Sequence, residues 1–248
     1  MKQLAGLLAA LALSTSVTAQ AQANDPHTGS RLGNRLEDDK ALREREAIHA
    51  VQRWATCVYF KRDRTVKRML TTLDVDDLQN AADLVFKGVD CEIVVPGRRA
   101  DQFVLNTDFA SDRGLLAEAA LEKEGHLKPN ADILAALPMA EGYNREWFRM
   151  TTRSNVVDAM SICFAETQPA LTVALLRTDR KTPEEDAAIG EIAGLLGPCL
   201  SAGASLNANI FQLRNALAEA YFQRIYGPNK PIVLDQREEE TAAAGAKS

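Results

Sequence analysis

The side chains with chemical potential in this chain fall into three groups: four cysteines, one arginine that recurs in a repeated block, and a run of cations. Cys57, Cys91, Cys163 and Cys199 are an even set, and none lies in the close pairs that zinc sites use. In an oxidising compartment their default chemistry is disulfide formation. Four cysteines allow three pairings. Cys57 to Cys91 and Cys163 to Cys199 span nearly equal lengths of chain, so pairing within each span is expected. Loops of that length contribute roughly 3–4 kcal/mol per bridge in the chain-entropy model. Oxidised cysteines are not nucleophiles.

The arginines are Arg113 and Arg214. Each sits in a block of pattern L-N-x6-R-x2-L-A-E-A, from Leu105 to Ala119 and from Leu206 to Ala220, matched without a gap. At helical spacing Arg113 shares a face with Phe109, Leu116 and Ala120, and Arg214 with Ile210, Leu217 and Tyr221. A guanidinium inside an apolar stripe needs partners for its five N–H donors. Those partners are a bound anion, carboxylate or phosphate, or, in a structural role, either buried carbonyls where the third helix turns into its loop or an acidic side chain. Occurrence in both halves favours the structural role, because each half must fold but only one need bind. Glu118 and Glu219 lie roughly 140° around the helix from these arginines. They are poor partners within one helix, and Glu118 faces solvent or the other half.

The cationic run is Lys61, Arg62, Arg64, Lys67 and Arg68, to which Arg98 and Arg99 add from an insertion over 93–103. The matching stretch of the second half, Glu166 to Leu176, has no basic residue. This is where the halves diverge, and it is the candidate contact for an acidic envelope protein, an anionic polymer or a lipid headgroup. The plainer alternative is a solvated face.

Around these residues the chain reads as all-α, two tandem four-helix units from an internal duplication with one disulfide each. Residues 1–23 carry Lys2, an apolar core from Leu4 to Leu13 and the small-x-small site Ala21-Gln22-Ala23, the pattern of an export signal. A leader over 24–39 precedes the first unit, 40–125. A connector over 126–153, with Trp147 and Phe148 packed on the body, leads to the second unit, 154–226. A largely disordered tail is expected over 227–248. Asp74 and Thr182-Pro183-Glu184-Glu185 are start signals for the third helix of each unit. Asn106 and Asn207, each after a leucine, are the expected caps of the fourth.

The frame C…LL-x-T…C…L-N…R-x-x-L-A-E-A resembles small secreted helical proteins of α-proteobacteria that carry similar cysteine frames and an L-R-G-x-L-A-E-A-L-like helix. The second copy departs from it with Asn215 where the first has Gly114. The resemblance implies export and a helical frame, and no chemistry.

A formal charge of −5 is not that of a typical nucleic-acid binder. No further apolar stretch of membrane-spanning length follows the signal. GxSxG, HExxH, a glycine-rich phosphate loop and a zinc-spaced cluster are all missing, and His27, His49 and His126 are scattered. The expectation is therefore a periplasmic or secreted, non-enzymatic binding protein of the bacterial envelope, without cofactor or metal. The alternative is a hydrolase or transferase with a site between the two units that uses Arg113, Arg214 and a glutamate.

Overall fold

Side-chain caps mark where five of the helices begin. In the computed structural model, which describes residues 31–87, 89–91, 108–200 and 209–228, seven α-helices and two short 3-10 turns are found and no strand. They are α1 (Arg31–Thr71), α2 (Val75–Phe86), α3 (Phe109–Lys123), α4 (Asn155–Thr167), α5 (Pro169–Leu176), α6 (Pro183–Leu195) and α7 (Ile210–Tyr226), with 3-10 turns at Glu146–Met150 and Gly197–Cys199. The export signal over 1–23, the insertion with Arg98 and Arg99, and most of the 227–248 tail lie outside the described residues. Helix α1 begins at Arg31, inside the stretch expected as a leader. The chain divides after Lys40, and everything below concerns the second unit, Ala41–Ser248.

Asp74 caps α2 by accepting from the Asp77 amide at 2.8 Å, and Thr182 caps α6 through Glu185. For α3 and α7 the caps are Asp108 and Asn209, which accept from the Ser111 and Gln212 amides at 2.7 and 2.9 Å. Both lie two residues beyond the expected Asn106 and Asn207, which are outside the described residues. Gln212 returns a bond to the Asn209 amide and completes a capping box. Each such cap is worth about 1 kcal/mol.

Helix α1 fuses two helices across a break at Arg62, whose backbone sits at φ −140°, ψ 34°. Gln168, between α4 and α5, has nearly the same backbone, φ −130°, ψ 54°. Each break falls five residues after a cysteine, Cys57 or Cys163. After the second, Pro169 removes an amide that a continuing helix would need, and α4 and α5 meet at 105°. Cys57 is bonded to Cys91 and Cys163 to Cys199, with Cα separations of 5.9 and 5.6 Å. The bridges tie α1 to the chain after α2, and α4 to the 3-10 turn after α6.

Helices α3 and α7 are buried around their whole circumference from Arg113 to Leu121 and from Leu213 to Arg224. That is the signature of central helices. They cross at Gly114 and Asn215. A Cβ on Gly114 would lie 2.4 Å from the Asn215 Cβ and 2.5 Å from its carbonyl oxygen. The crossing admits a side chain from one helix only, and Asn215 supplies it opposite Gly114. One apolar core runs through both halves, from Val58 and Leu70 in α1 through Leu116 and Trp147 to Ile162, Val173 and Phe222. A smaller cluster around Phe164, Ile192 and Leu217 belongs to the second half. The halves thus share a core.

Among the described residues no single helix is long and apolar enough to cross a membrane. The bent pair α4–α5 passes by length and composition, but Ile162, Phe164, Val173 and Leu175 within it are core residues.

Candidate functional site

The repeated arginines are both completely buried, at 0% exposure, and each bonds a glutamate of the other half. Arg113 on α3 pairs with Glu219 on α7, its Nη2 lying 2.6 Å from Oε1. Arg214 on α7 pairs with Glu118 on α3 at 2.7 Å. The glutamate that points away from its own arginine is therefore the partner of the other helix's arginine. Other guanidinium donors go to carbonyls at the end of the second helical segment, where the sequence pointed to the third. Arg113 donates to Met69 O at 2.8 Å and Leu70 O at 3.1 Å. Arg214 donates to Leu176 O at 3.2 Å and to Thr178 O at 2.9 Å. Those carbonyls are orphaned at a helix end, so the arginines do the work of C-terminal caps.

Each glutamate has a second arginine that the sequence did not single out. Arg153, just before α4, bonds Glu219 and also Asp158 at 2.7 Å. Arg180, in the turn before α6, bonds Glu118 and the Asn215 Oδ1, and Arg214 reaches Glu185 at 2.9 Å. Two quartets result, each of two arginines and two carboxylates, each formally neutral. Burial opposes ionisation of Glu219, but Arg113 and Arg153 outweigh it and hold the carboxyl below the usual range. Arg180 and Arg214 do the same for Glu118. Asp158 moves the other way, raised by burial and by nearby Glu219 against the pull of Arg153. Burial, with Arg214 beside it, lowers Arg180. Two polar atoms at the edge of the second quartet have no hydrogen-bond partner among the described residues, Arg180 Nε and Asn215 Nδ2. Arg153 and Arg180 occur once each and lie in loops, so no periodicity marks them. Their only sequence signal is arginine next to a helix start.

The cationic run does not act as one patch. Lys67 pairs with Glu124 at 2.8 Å and lies over the Tyr226 ring, and the same carboxylate accepts from the Tyr59 hydroxyl at 2.7 Å. Arg68 is held by Asp77 on α2. Lys61 donates to the Asp90 carbonyl. Arg62 and Arg64 are exposed and form no ion pair with a described residue. Beside them Phe60 is 69% exposed, with the Lys123 ammonium 4.7 Å from its ring centre. Arg98 and Arg99 lie outside the described residues. The open surface is therefore Phe60 with Lys61, Arg62, Arg64 and Lys123, of which Phe60 and Lys123 were not foreseen.

Between the halves lies a half-open cleft of about 320 Å³. The N-termini of α3, α4 and α7 frame it, through Asp108 and Ser111, Ser154, and Gln212 and Asn215, with Arg153 among them. Arg113 and Arg214 do not line it. Among the described residues no group of three or more His, Cys, Asp or Glu side chains is arranged to hold a metal ion. No family model, curated protein or solved structure matches the chain.

Proposed function

We propose that the protein is an exported, non-enzymatic binding protein of the bacterial envelope, built from a duplicated helical unit, with its contact at the α1 break. The observation that carries this is the open surface there. A large aromatic ring is left 69% exposed among cations whose charge no described residue pairs. Aromatic and arginine side chains are what contact centres use, and the second half has no basic residue at the matching turn. The partner class is an acidic envelope protein or an anionic polymer. The two bonded cystine bridges suit an oxidising, extracytoplasmic compartment.

The duplication is supported by the matched breaks at Arg62 and Gln168 and by the reciprocal pairing of Arg113 with Glu219 and Arg214 with Glu118. The alternative, hydrolysis or group transfer through Arg113, Arg214 and a glutamate, is less favoured. Those groups are bonded to one another and buried away from the cleft.

Retention of the mature protein on an immobilised polyanion tests the reading. Retention is expected to weaken as salt rises past the point where the Debye length is about 10 Å. The triple variant Lys61→Ser, Arg62→Ser, Arg64→Ser is expected to elute early with an unchanged thermal midpoint. A triple variant retained like the wild type would contradict the proposal.

A further inference from the structure

The cleft between the halves has the polar equipment of a small-molecule site. Three helices of at least thirteen residues begin at its edge. The first-turn amides of a helix have no intrahelical partners, and the helix dipole places partial positive charge on them. Three such ends around one cleft favour an anionic group.

A second observation points the same way independently. Asn215 lines the cleft, is 1% exposed, and its Oδ1 is fixed by a bond from Arg180 at 2.7 Å. That bond sets the amide orientation, because an arginine donor cannot face an amide NH2. The Nδ2 group is then left without a partner among the described residues. A buried unpaired donor costs on the order of 1–3 kcal/mol unless something accepts from it. Arg153 uses three of its donors on Asp158, Ala110 O and Glu219, which leaves further N–H groups of its fork.

The charges present limit what the anion can be. The charge of Arg153 is already matched by Asp158 and Glu219 behind it. What the cleft adds is partial charge and neutral donors, enough for one carboxylate and poor for a dianion. Asp108, on the rim, is a full negative charge whose Oδ1 is occupied with the Ser111 amide. It would repel a bare anion and attract an ammonium.

We propose that this cleft binds a small zwitterion of the amino-acid class. The carboxylate is taken by the Asn215 amide, Arg153 and the helix N-termini, and the ammonium by Asp108. A volume of about 320 Å³ suits a ligand of that size. The site is separate from the α1 break and does not depend on the contact argued for it.

The test is a titration of the full-length, isotope-labelled protein with glycine and L-serine, followed by the backbone amide signals of Ala110, Ser111 and Val156. Glycolate, which lacks the ammonium, and inorganic phosphate are run beside them. Saturable shifts are expected with the amino acids, at lower concentration than with glycolate or phosphate. Thr152→Glu, which puts a carboxylate on the exposed rim without touching the core, is expected to weaken glycine roughly tenfold. Asp108→Asn keeps an equally good cap and is expected to bring glycine down to the level of glycolate. The proposal is overturned if neither amino acid gives a saturable shift, if phosphate or glycolate binds as tightly, or if both variants bind glycine like the wild type.

Discussion

At the scale of single residues, the molecule's main electrostatic investment is in its interior. Arg113 and Arg214 lose their hydration entirely, and only a full set of acceptors makes that tolerable. Removing one arginine leaves a quartet with one uncompensated buried negative charge, and breaking a buried pair in this way costs about 3–5 kcal/mol. Arg113→Met is therefore expected to lower the unfolding free energy by roughly that amount in urea, and Arg214→Met similarly. A loss under about 1 kcal/mol, the range of exposed ion pairs, would show that Glu219 and Glu118 are adequately held by Arg153 and Arg180 alone.

The same residues set a pH dependence. Glu118 and Glu219 have folded-state pKa values below the unfolded value of about 4.3. Their stabilisation is complete above that pH and is lost as pH falls through the lower folded values. Asp158, raised by burial and its neighbour Glu219, acts in the opposite sense and offsets part of the loss. The urea midpoint is expected to drop between pH 5 and pH 3, and a midpoint that rises over that interval would contradict the assignment. Little of this was legible beforehand. The repeated block identified the arginines and a reason for them to be structural. Helix geometry showed only that Glu118 and Glu219 could not serve their own helix. Arg153, Arg180 and the exchange itself depend on packing between residues far apart in the chain.

At the scale of elements, the α3–α7 crossing is the tightest joint. Gly114→Ala puts a methyl 2.4 Å from the Asn215 Cβ, and overpacking of this kind costs about 1–3 kcal/mol. Adding Asn215→Gly is expected to recover only part of that, because the Asn215 carbonyl oxygen at 2.5 Å remains. Full recovery in chemical denaturation would mean that the carbonyl can move and that the joint is looser than its geometry. The starts of α2 and α6 were readable from their caps, Asp74 and Thr182. Helix joins were less so: the Arg62 break lies inside one long α1, with no proline to mark it as Pro169 marks its counterpart. The caps of α3 and α7 fell at Asp108 and Asn209, since Asp and Asn compete with Asn106 and Asn207 on nearly equal terms.

At the scale of the whole molecule, the two halves share one packed core and are expected to fold together. Their apolar core is continuous, and each half supplies the carboxylate that neutralises the other's central arginine. A fragment containing residues 126–248 alone is expected to lack a cooperative thermal transition, even with the Cys163–Cys199 bridge intact. A sharp transition in that fragment would show that the second half has a sufficient core of its own. With charge balanced inside, what the protein offers to a partner is its surface, and there the cationic run separates into paired and open members. Lys67 and Arg68 are held by Glu124 and Asp77. Lys61, Arg62 and Arg64, all exposed, follow the exposed Phe60 in the chain. Composition showed the run, but only the neighbouring α2 and the end of α3 reveal which charges are already spent.

The measurement that bears most directly on this account compares two variants on the same immobilised polyanion at low salt. One carries Lys61→Ser, Arg62→Ser and Arg64→Ser, and the other carries Lys67→Ser and Arg68→Ser. The account predicts that the first loses retention with its fold intact, while the second is retained much like the wild type. Equal loss in both would mean that only total charge matters, and retention of the first would place the contact elsewhere on the molecule.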